Sequence, residues 1–329
     1  MTAPQARIGI TIGDPAGVGP EIVCKALADT TPILRSATLV FGDPDIIERA
    51  NKLTGAGLKF AAHPRDGEVG LVPVPAPDRA GIQDGRMSAA GGAAAYAAIE
   101  RAVTASLAGE IGCIVTAPIN KEALHAAGYH YSGHTELLAH LSGAKSSFML
   151  LASEKLSTIH VSTHVSLADA VKRATVQREY DTIRAGHDVF RRMGWEHPRL
   201  AVAGLNPHCG ENGLFGTQES EFIQPAIERA RSEGIDVRGP LPGDSVFYRA
   251  TQGEFDLVVA QYHDQGHIPT KLIAFDSTVN ISVGLPIQRT SVDHGTAFDI
   301  AWQGKAKYVN MIAAIDYARR LAANAAAGR

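Results

Sequence analysis

Short runs of apolar, often β-branched residues recur along the chain, and each empties into a polar, glycine-bearing loop followed by a segment of helical period. Arg7–Ile12 (RIGITI), Ala37–Phe41, Ile111–Thr116, Leu200–Leu205 and Phe255–Ala260 are mainly apolar, without a regular polar alternation. That is the mark of strands covered on both faces of a parallel sheet. Leu71–Val74 is a further strand in a Pro-rich stretch, 63–84, and Ser147–Leu151 with Leu156–Thr163 form a hairpin around the SEK turn. Helices are predicted between them. One is opened by Pro20 after GDPAGVG, an alanine-rich one covers Ser88–Leu107, an amphipathic one Thr175–Met193, and another Glu219–Ser232. Two more close the chain, over Ala297–Trp302 and from Val309 to about Ala323. Strand, loop and helix alternate throughout, so the chain is an α/β protein.

At 329 residues it exceeds what one core serves, and two α/β lobes sharing a central cleft are expected. We place the first lobe at 1–130 plus 275–329 and the second at 131–274. The composition is 45% hydrophobic and 20% charged with a net charge of -3, and no cluster of Lys and Arg marks a nucleic-acid surface. No apolar run approaches the roughly 20 residues of a membrane span, and the N-terminus lacks the form of a signal peptide. Cys24, Cys113 and Cys209 are widely spaced without a CxxC pair, which suits a reducing compartment. The expectation is a cytoplasmic protein with neither nucleic acid nor membrane as partner.

In open α/β sheets, ligands bind beyond the carboxyl ends of the strands, and there the polar residues concentrate. YSGHTE sets His134 and Thr135 at a helix start, where free amides favour anions. The run after Phe255–Ala260 carries YHDQGH and then Lys271, Asn280, Arg289, Asp293 and His294, a set suited to holding a small, multiply charged anion. His164, His208 and His263 share one description: an imidazole in a polar loop just after a buried strand. Three neutral imidazoles leave an open coordination position, the arrangement of a catalytic divalent site, and nitrogen ligands favour zinc or cobalt. Each histidine alone is better explained as a hydrogen-bonded loop residue, and it is the threefold coincidence that raises the metal reading. On the residues, a metal-dependent phosphate-ester hydrolase and a non-catalytic sugar-phosphate binding protein both stay open.

The segments GDPAGVGPEI, TAPINKEAL, SGHTE, STH, LNPHCGENG, YHDQGH, VNISVGLP and RTSVDHGTAFD span nearly the whole chain. In order and spacing they resemble the 4-hydroxythreonine-4-phosphate dehydrogenase family of vitamin B6 biosynthesis. The resemblance implies a fold like that of isocitrate and isopropylmalate dehydrogenases, and a homodimer whose active site uses both subunits. It implies that His164, His208 and His263 hold a divalent metal (zinc, cobalt or magnesium) and that His134, Thr135, Lys271, Asn280 and Arg289 contact substrate. His294, Gly295, Thr296 and Asp299 would face the adenosine part of the dinucleotide, and Asp299, placed for a ribose hydroxyl, favours NAD over NADP. Asp244 and Lys271 are both candidates for the general base. The implied reaction is oxidation by NAD of the 3-hydroxyl of a 4-phosphorylated four-carbon acid, of the 4-hydroxy-L-threonine 4-phosphate type. Decarboxylation to an aminoketone or hydroxyketone phosphate follows. One stretch departs: HDQGHIP, with His267, Ile268 and Pro269, follows a subgroup resembling dehydrogenases of 4-phospho-D-threonate or 4-phospho-D-erythronate.

Overall fold

The computed structural model describes residues 6–144 and 146–325. The apolar run near the N-terminus forms β1 (Ile8–Thr11), buried along its length, and the glycine-rich turn after it leads into α1 (Gly19–Ala28), with Pro20 in its first turn. Next come α2 (Pro32–Ser36), β2 (Thr38–Gly42), α3 (Pro44–Thr54), β3 (Phe60–Ala61), β4 (Val69–Pro73) and the alanine-rich α4 (Ala89–Leu107). β5 (Cys113–Thr116), α5 (Lys121–Ala126) and α6 (His134–Ser142) complete this stretch. The helix starts are chemical: Asp43 caps α3, Ser88 caps α4 and Asn120 caps α5, each accepting hydrogen bonds from first-turn amides.

The chain continues through the hairpin β6 (Phe148–Ala152) and β7 (Thr158–His160), then α7 (Leu167–Arg173), α8 (Val176–Arg192) and β8 (Leu200–Ala203). A turn at Pro207–Gly213 and a wide helical turn at Glu219–Ile223 precede α9 (Gln224–Ser232) and β9 (Val237–Leu241). The elements α10 (Gly243–Thr251), β10 (Leu257–Ala260), α11 (His263–Ala274) and β11 (Val279–Val283) follow, and β12 (Arg289–Ser291) and α12 (Val309–Ala325) end the chain.

Contacts divide these elements into two units, Met1–Ser147 with Leu285–Arg329, and Phe148–Gly284. In the first the strands run β3-β4-β2-β1-β5-β12, all parallel, over a core that includes Phe41, Ile99, Ile114 and Ile287. In the second the order is β11-β6-β7-β10-β8-β9, parallel from β7 to β9 and antiparallel at β11-β6-β7, around Val246, Phe255 and Val258. The architecture is mixed α/β. Through Leu137 and Leu138, α6 packs in the first unit, and β11 pairs with β6 in the second. The sequence division had placed each on the other side. No helix among the described residues is long and apolar enough to cross a membrane.

Two local expectations are corrected. Ala297–Trp302 is a series of turns rather than a helix, because Ala297 (φ 43°) and Trp302 (φ 59°) take left-handed backbone. The Glu21 carboxylate holds this segment, accepting from the amides of Trp302 and Gly304, the latter at 2.7 Å. His263 is not in a loop but is the first residue of α11.

Gly92 is where α4 and α5 touch: a Cβ there would lie 2.1 Å from the Ala123 carbonyl oxygen. We expect Gly92→Ala to cost roughly 2 kcal/mol through forced separation of the helices, seen as a lower thermal midpoint. An unchanged midpoint would contradict this packing.

Candidate active site

In the second unit, β7, β10 and β8 are neighbours and parallel, so their carboxyl ends share one edge. His164, His263 and His208 follow these three ends in turn. The backbone there is unusual. His164 has φ 47°, and His208 (φ 50°) opens five consecutive residues, through Asn212, with left-handed dihedrals, only one of them glycine. For a side-chain-bearing residue this costs about 1–2 kcal/mol, and such strain concentrates where a side chain must be aimed.

His263 is oriented differently. Its Nδ1 lies 2.6 Å from Asp264 Oδ1, and because a carboxylate only accepts, Nδ1 carries the hydrogen and Nε2 the lone pair, as a metal ligand requires. The His164 and His263 rings are 5.6 Å apart, centre to centre, and line a pocket of about 290 Å³ with Ser162, Thr163 and Tyr262. His208 lines a second pocket, of about 680 Å³, with Asp244, Phe247 and Gln265. Tyr262 and Asp264 border both. Among the described residues of one chain, no three His, Cys, Asp or Glu side chains are grouped to hold a metal ion.

Two further imidazoles join the cluster: His160, which sequence reasoning missed, and His267, which it read only as a mark of the subgroup. His267 stacks on His263 with centroids 3.6 Å apart and planes 15° from parallel, and His160 lies 4.6 Å beyond. His160 is fully buried and neutral, its pKa pushed down to about 3, chiefly by burial and then by His267. Its Nδ1 is 3.0 Å from the Met149 carbonyl and so carries the hydrogen, which leaves a lone pair on Nε2. His267 Nδ1 is 3.1 Å from that lone pair and 2.9 Å from the His263 carbonyl, so it donates. The network thus fixes both tautomers and seats a flat ring against the face of His263. The alternation Thr158-Ile159-His160 already pointed to an inward imidazole, but nothing local named its partner.

The predicted anion-holding residues divide between the units. In the first, Arg289 is 2% exposed on β12 and gives two hydrogen bonds, 3.0 and 2.7 Å, to the Thr116 hydroxyl. Burial lowers its pKa to about 9, so it stays charged at neutral pH. His134, the first residue of α6, is held neutral by burial and by Arg289, and its buried Nε2 has no hydrogen-bond partner. Thr135 follows in the same turn. In the second unit Asn280 stands on β11 with a buried, partnerless Oδ1, and Lys271 lies on α11, its Nζ 6.0 Å from the Phe275 ring centre. Asp244, exposed at the start of α10, shares the pocket of His208; Lys271 does not line it.

The loop of His294, Gly295, Thr296 and Asp299 packs on the glycine-rich turn. Val18 N–H donates to the Thr296 carbonyl at 3.0 Å, and a Cβ on Gly17 would come 2.8 Å from that oxygen. Thr296 is thereby buried, while His294, Gly295 and Asp299 are exposed. Asp14, in the same turn, is fully buried; burial raises its carboxyl to about 6 against the hydrogen bond from Ala16, and Oδ2 has no partner.

The family model described as "Pyridoxal phosphate biosynthetic protein PdxA" matches residues 35–318. The chain belongs to this family. It is 45% identical over 323 residues to a D-threonate 4-phosphate dehydrogenase of Pectobacterium atrosepticum, covering 96% of this chain and 99% of that one. It is 48% identical over 320 residues to a 4-hydroxythreonine-4-phosphate dehydrogenase of Beijerinckia indica, covering 95% and 94%. Among solved structures, the 4-hydroxythreonine-4-phosphate dehydrogenase of Klebsiella pneumoniae superposes with a TM-score of 0.87 at 43% identity, over 98% of this chain and 99% of that one. This PdxA-family protein is a dehydrogenase, an oxidoreductase.

If the turn at 208–212 stores strain, glycine relieves it and alanine does not. We expect His208→Gly to be more stable than His208→Ala by about 1 kcal/mol; equal thermal midpoints would remove the strain. Glu179 on α8 gives a pH test. Burial raises its pKa to about 8 from 4.5, opposed by the Gln261 side chain and Arg178. The folded chain keeps that proton to about pH 8 while the unfolded chain releases it near 4.5, so this contribution is full below 4.5 and lost as pH rises through 8. Wild type should therefore lose more than about 1 kcal/mol relative to Glu179→Gln between about pH 5 and pH 8.5. A pH-independent difference between their unfolding free energies would contradict the assignment.

Proposed function

We propose that the protein oxidises the 3-hydroxyl of a 4-phosphorylated four-carbon acid with NAD, with a divalent metal, and that the product loses carbon dioxide. The observation that carries this is the trio of aimed histidines. Two are held in left-handed backbone and the third has its Nδ1 fixed by a carboxylate, so the donor set fits a metal such as zinc or cobalt. A cation so held supplies a Lewis acid that lowers the alcohol's pKa and polarises a ketone oxygen.

The chain's own groups account for the rest. Arg289 neutralises a phosphate or carboxylate, and the partnerless His134 Nε2 and Asn280 Oδ1 offer hydrogen bonds to a substrate, which explains why two buried polar atoms lack partners. Thr135 and Lys271 complete the anion-holding set. Asp244, in the pocket of His208, is favoured over Lys271 to take the hydroxyl proton as hydride leaves C3 for the nicotinamide. The exposed Asp299 carboxylate suits a ribose hydroxyl and so NAD, with His294, Gly295 and Thr296 beside it.

His164 and His263 share a pocket while His208 faces another, and we infer that a second copy of the chain brings the set together as a homodimer. The apolar stripe on α11 supports this: Ile268, Leu272 and Phe275 are 57%, 82% and 73% exposed, and Ile268 and Leu272 border the His208 pocket. The free cysteines Cys24, Cys113 and Cys209 support a reducing compartment such as the cytoplasm.

For substrate we favour D-threonate 4-phosphate over 4-hydroxy-L-threonine 4-phosphate. His267-Ile268-Pro269 and the Pectobacterium relative support the first, the Beijerinckia relative the second. Incubating the purified protein with each acid, NAD and a divalent ion should give reduced nicotinamide with at least one, faster with the threonate. His208→Ala should lower the rate at least about a hundredfold. Phosphate release without nicotinamide reduction would instead favour a hydrolase.

A further inference from the structure

The strand ends that carry His263 and His208 are tied together by two glutamine side chains, neither of which can ligate the proposed metal as a charged group. Gln261 and Gln265 flank His263. The Gln265 Oε1 accepts from the Gln261 amide at the end of β10 (2.7 Å), and its Nε2 donates to the Gly204 carbonyl at the end of β8 (2.8 Å). Gln261, 1% exposed, donates from Nε2 to the Ala203 carbonyl (3.0 Å) and to Glu179 Oε2 (3.3 Å), while its backbone carbonyl, not its side chain, accepts from the Ser162 hydroxyl beyond β7 (3.0 Å). The loop after β8 is held again from below. Glu219 accepts from the amides of Leu205 and Asn206 at 2.8 and 2.7 Å, and from Asn206 Nδ2 at 2.9 Å.

We propose that Gln265, with Gln261, is a positioning residue that ties the end of β8, before His208, to the end of β10, before His263, and so sets the aim of these imidazoles and the affinity and geometry of the metal sites they serve. The inference rests on the reading that these histidines hold a divalent ion. Only an amide fits the place of Gln265. It must accept from one strand end and donate to another, where a hydrocarbon leaves both backbone groups unpaired and a carboxylate opposes the Gly204 carbonyl. An amide is also uncharged, so it does not compete with the imidazoles for the cation. Because the left-handed turn at 208–212 is under strain, loss of this tether should let His208 relax away from its aim.

The test uses the full chain, cleared of metal and titrated with Co²⁺, for wild type, Gln265→Met and Gln265→Glu. The readouts are Co²⁺ affinity, the visible spectrum of bound Co²⁺, and the thermal midpoint of the metal-free protein. Gln265→Met removes both hydrogen bonds at similar length; Gln265→Glu keeps the acceptor and loses the donor, and it decides the matter if the methionine variant does not fold. The expected result is a metal-free midpoint close to wild type, roughly tenfold or greater weakening of Co²⁺ binding, and an altered spectrum. Wild-type affinity and spectrum in the variants would overturn the proposal even if turnover fell. So would weakened binding that merely tracks a loss of metal-free stability in both variants. Wild type that binds no Co²⁺ would overturn the metal reading itself, and this inference with it.

Discussion

Parallel pairing of β7, β10 and β8 is the constraint from which the chemistry of the second unit follows. Parallel neighbours end at the same edge, so three loops far apart in sequence are delivered side by side. The strands themselves are short and wholly buried, and they contribute direction rather than function. The loops carry the cost. The left-handed run through 208–212 follows a stretch that is held firmly, Glu219 accepting from Leu205 and Asn206 and Gln265 donating to the Gly204 carbonyl.

The first unit serves a different chemistry. Its parallel strands deliver Thr116 and Arg289 to one place, and burial leaves a charged guanidinium beside a neutral imidazole, His134. A buried cation of this kind is poorly solvated and suits a multiply charged anion. On the same unit, Gly17 permits the close approach of Thr296 that seats the loop reaching Asp299. The proposed dehydrogenase thus divides its labour by the character of each loop: fixed charge in one, aimed imidazoles in another, a backbone-seated turn in a third.

Much of this was legible in the sequence. Apolar runs marked β1, β2, β5, β8 and β10, and alanine richness and amphipathic period marked α4 and α8, because burial and periodicity are local signals. The helix starting at His263 was hidden by the polar density of YHDQGH, and Ala297–Trp302 read as helix because its composition allows one. Distant partners decide otherwise: the Glu21 carboxylate accepts from the amides of Trp302 and Gly304, and the Pro15 carbonyl from the Trp302 indole. Individual histidines stood out by position, whereas the stack of His267 on His263, four residues apart, follows only once that stretch is known to be helical, and the tie from Gln265 to Gly204 joins strand ends that no spacing encodes.

The central claim is that the three imidazoles act as one set, shared between two copies of the chain. Mixing unfolded His208→Ala and His263→Ala chains, refolding them together and measuring turnover tests it directly. If the two histidines serve one site from different copies, mixed dimers contain one intact site, and about a quarter of wild-type sites should return. No recovery, with mixed dimers present, would contradict the account.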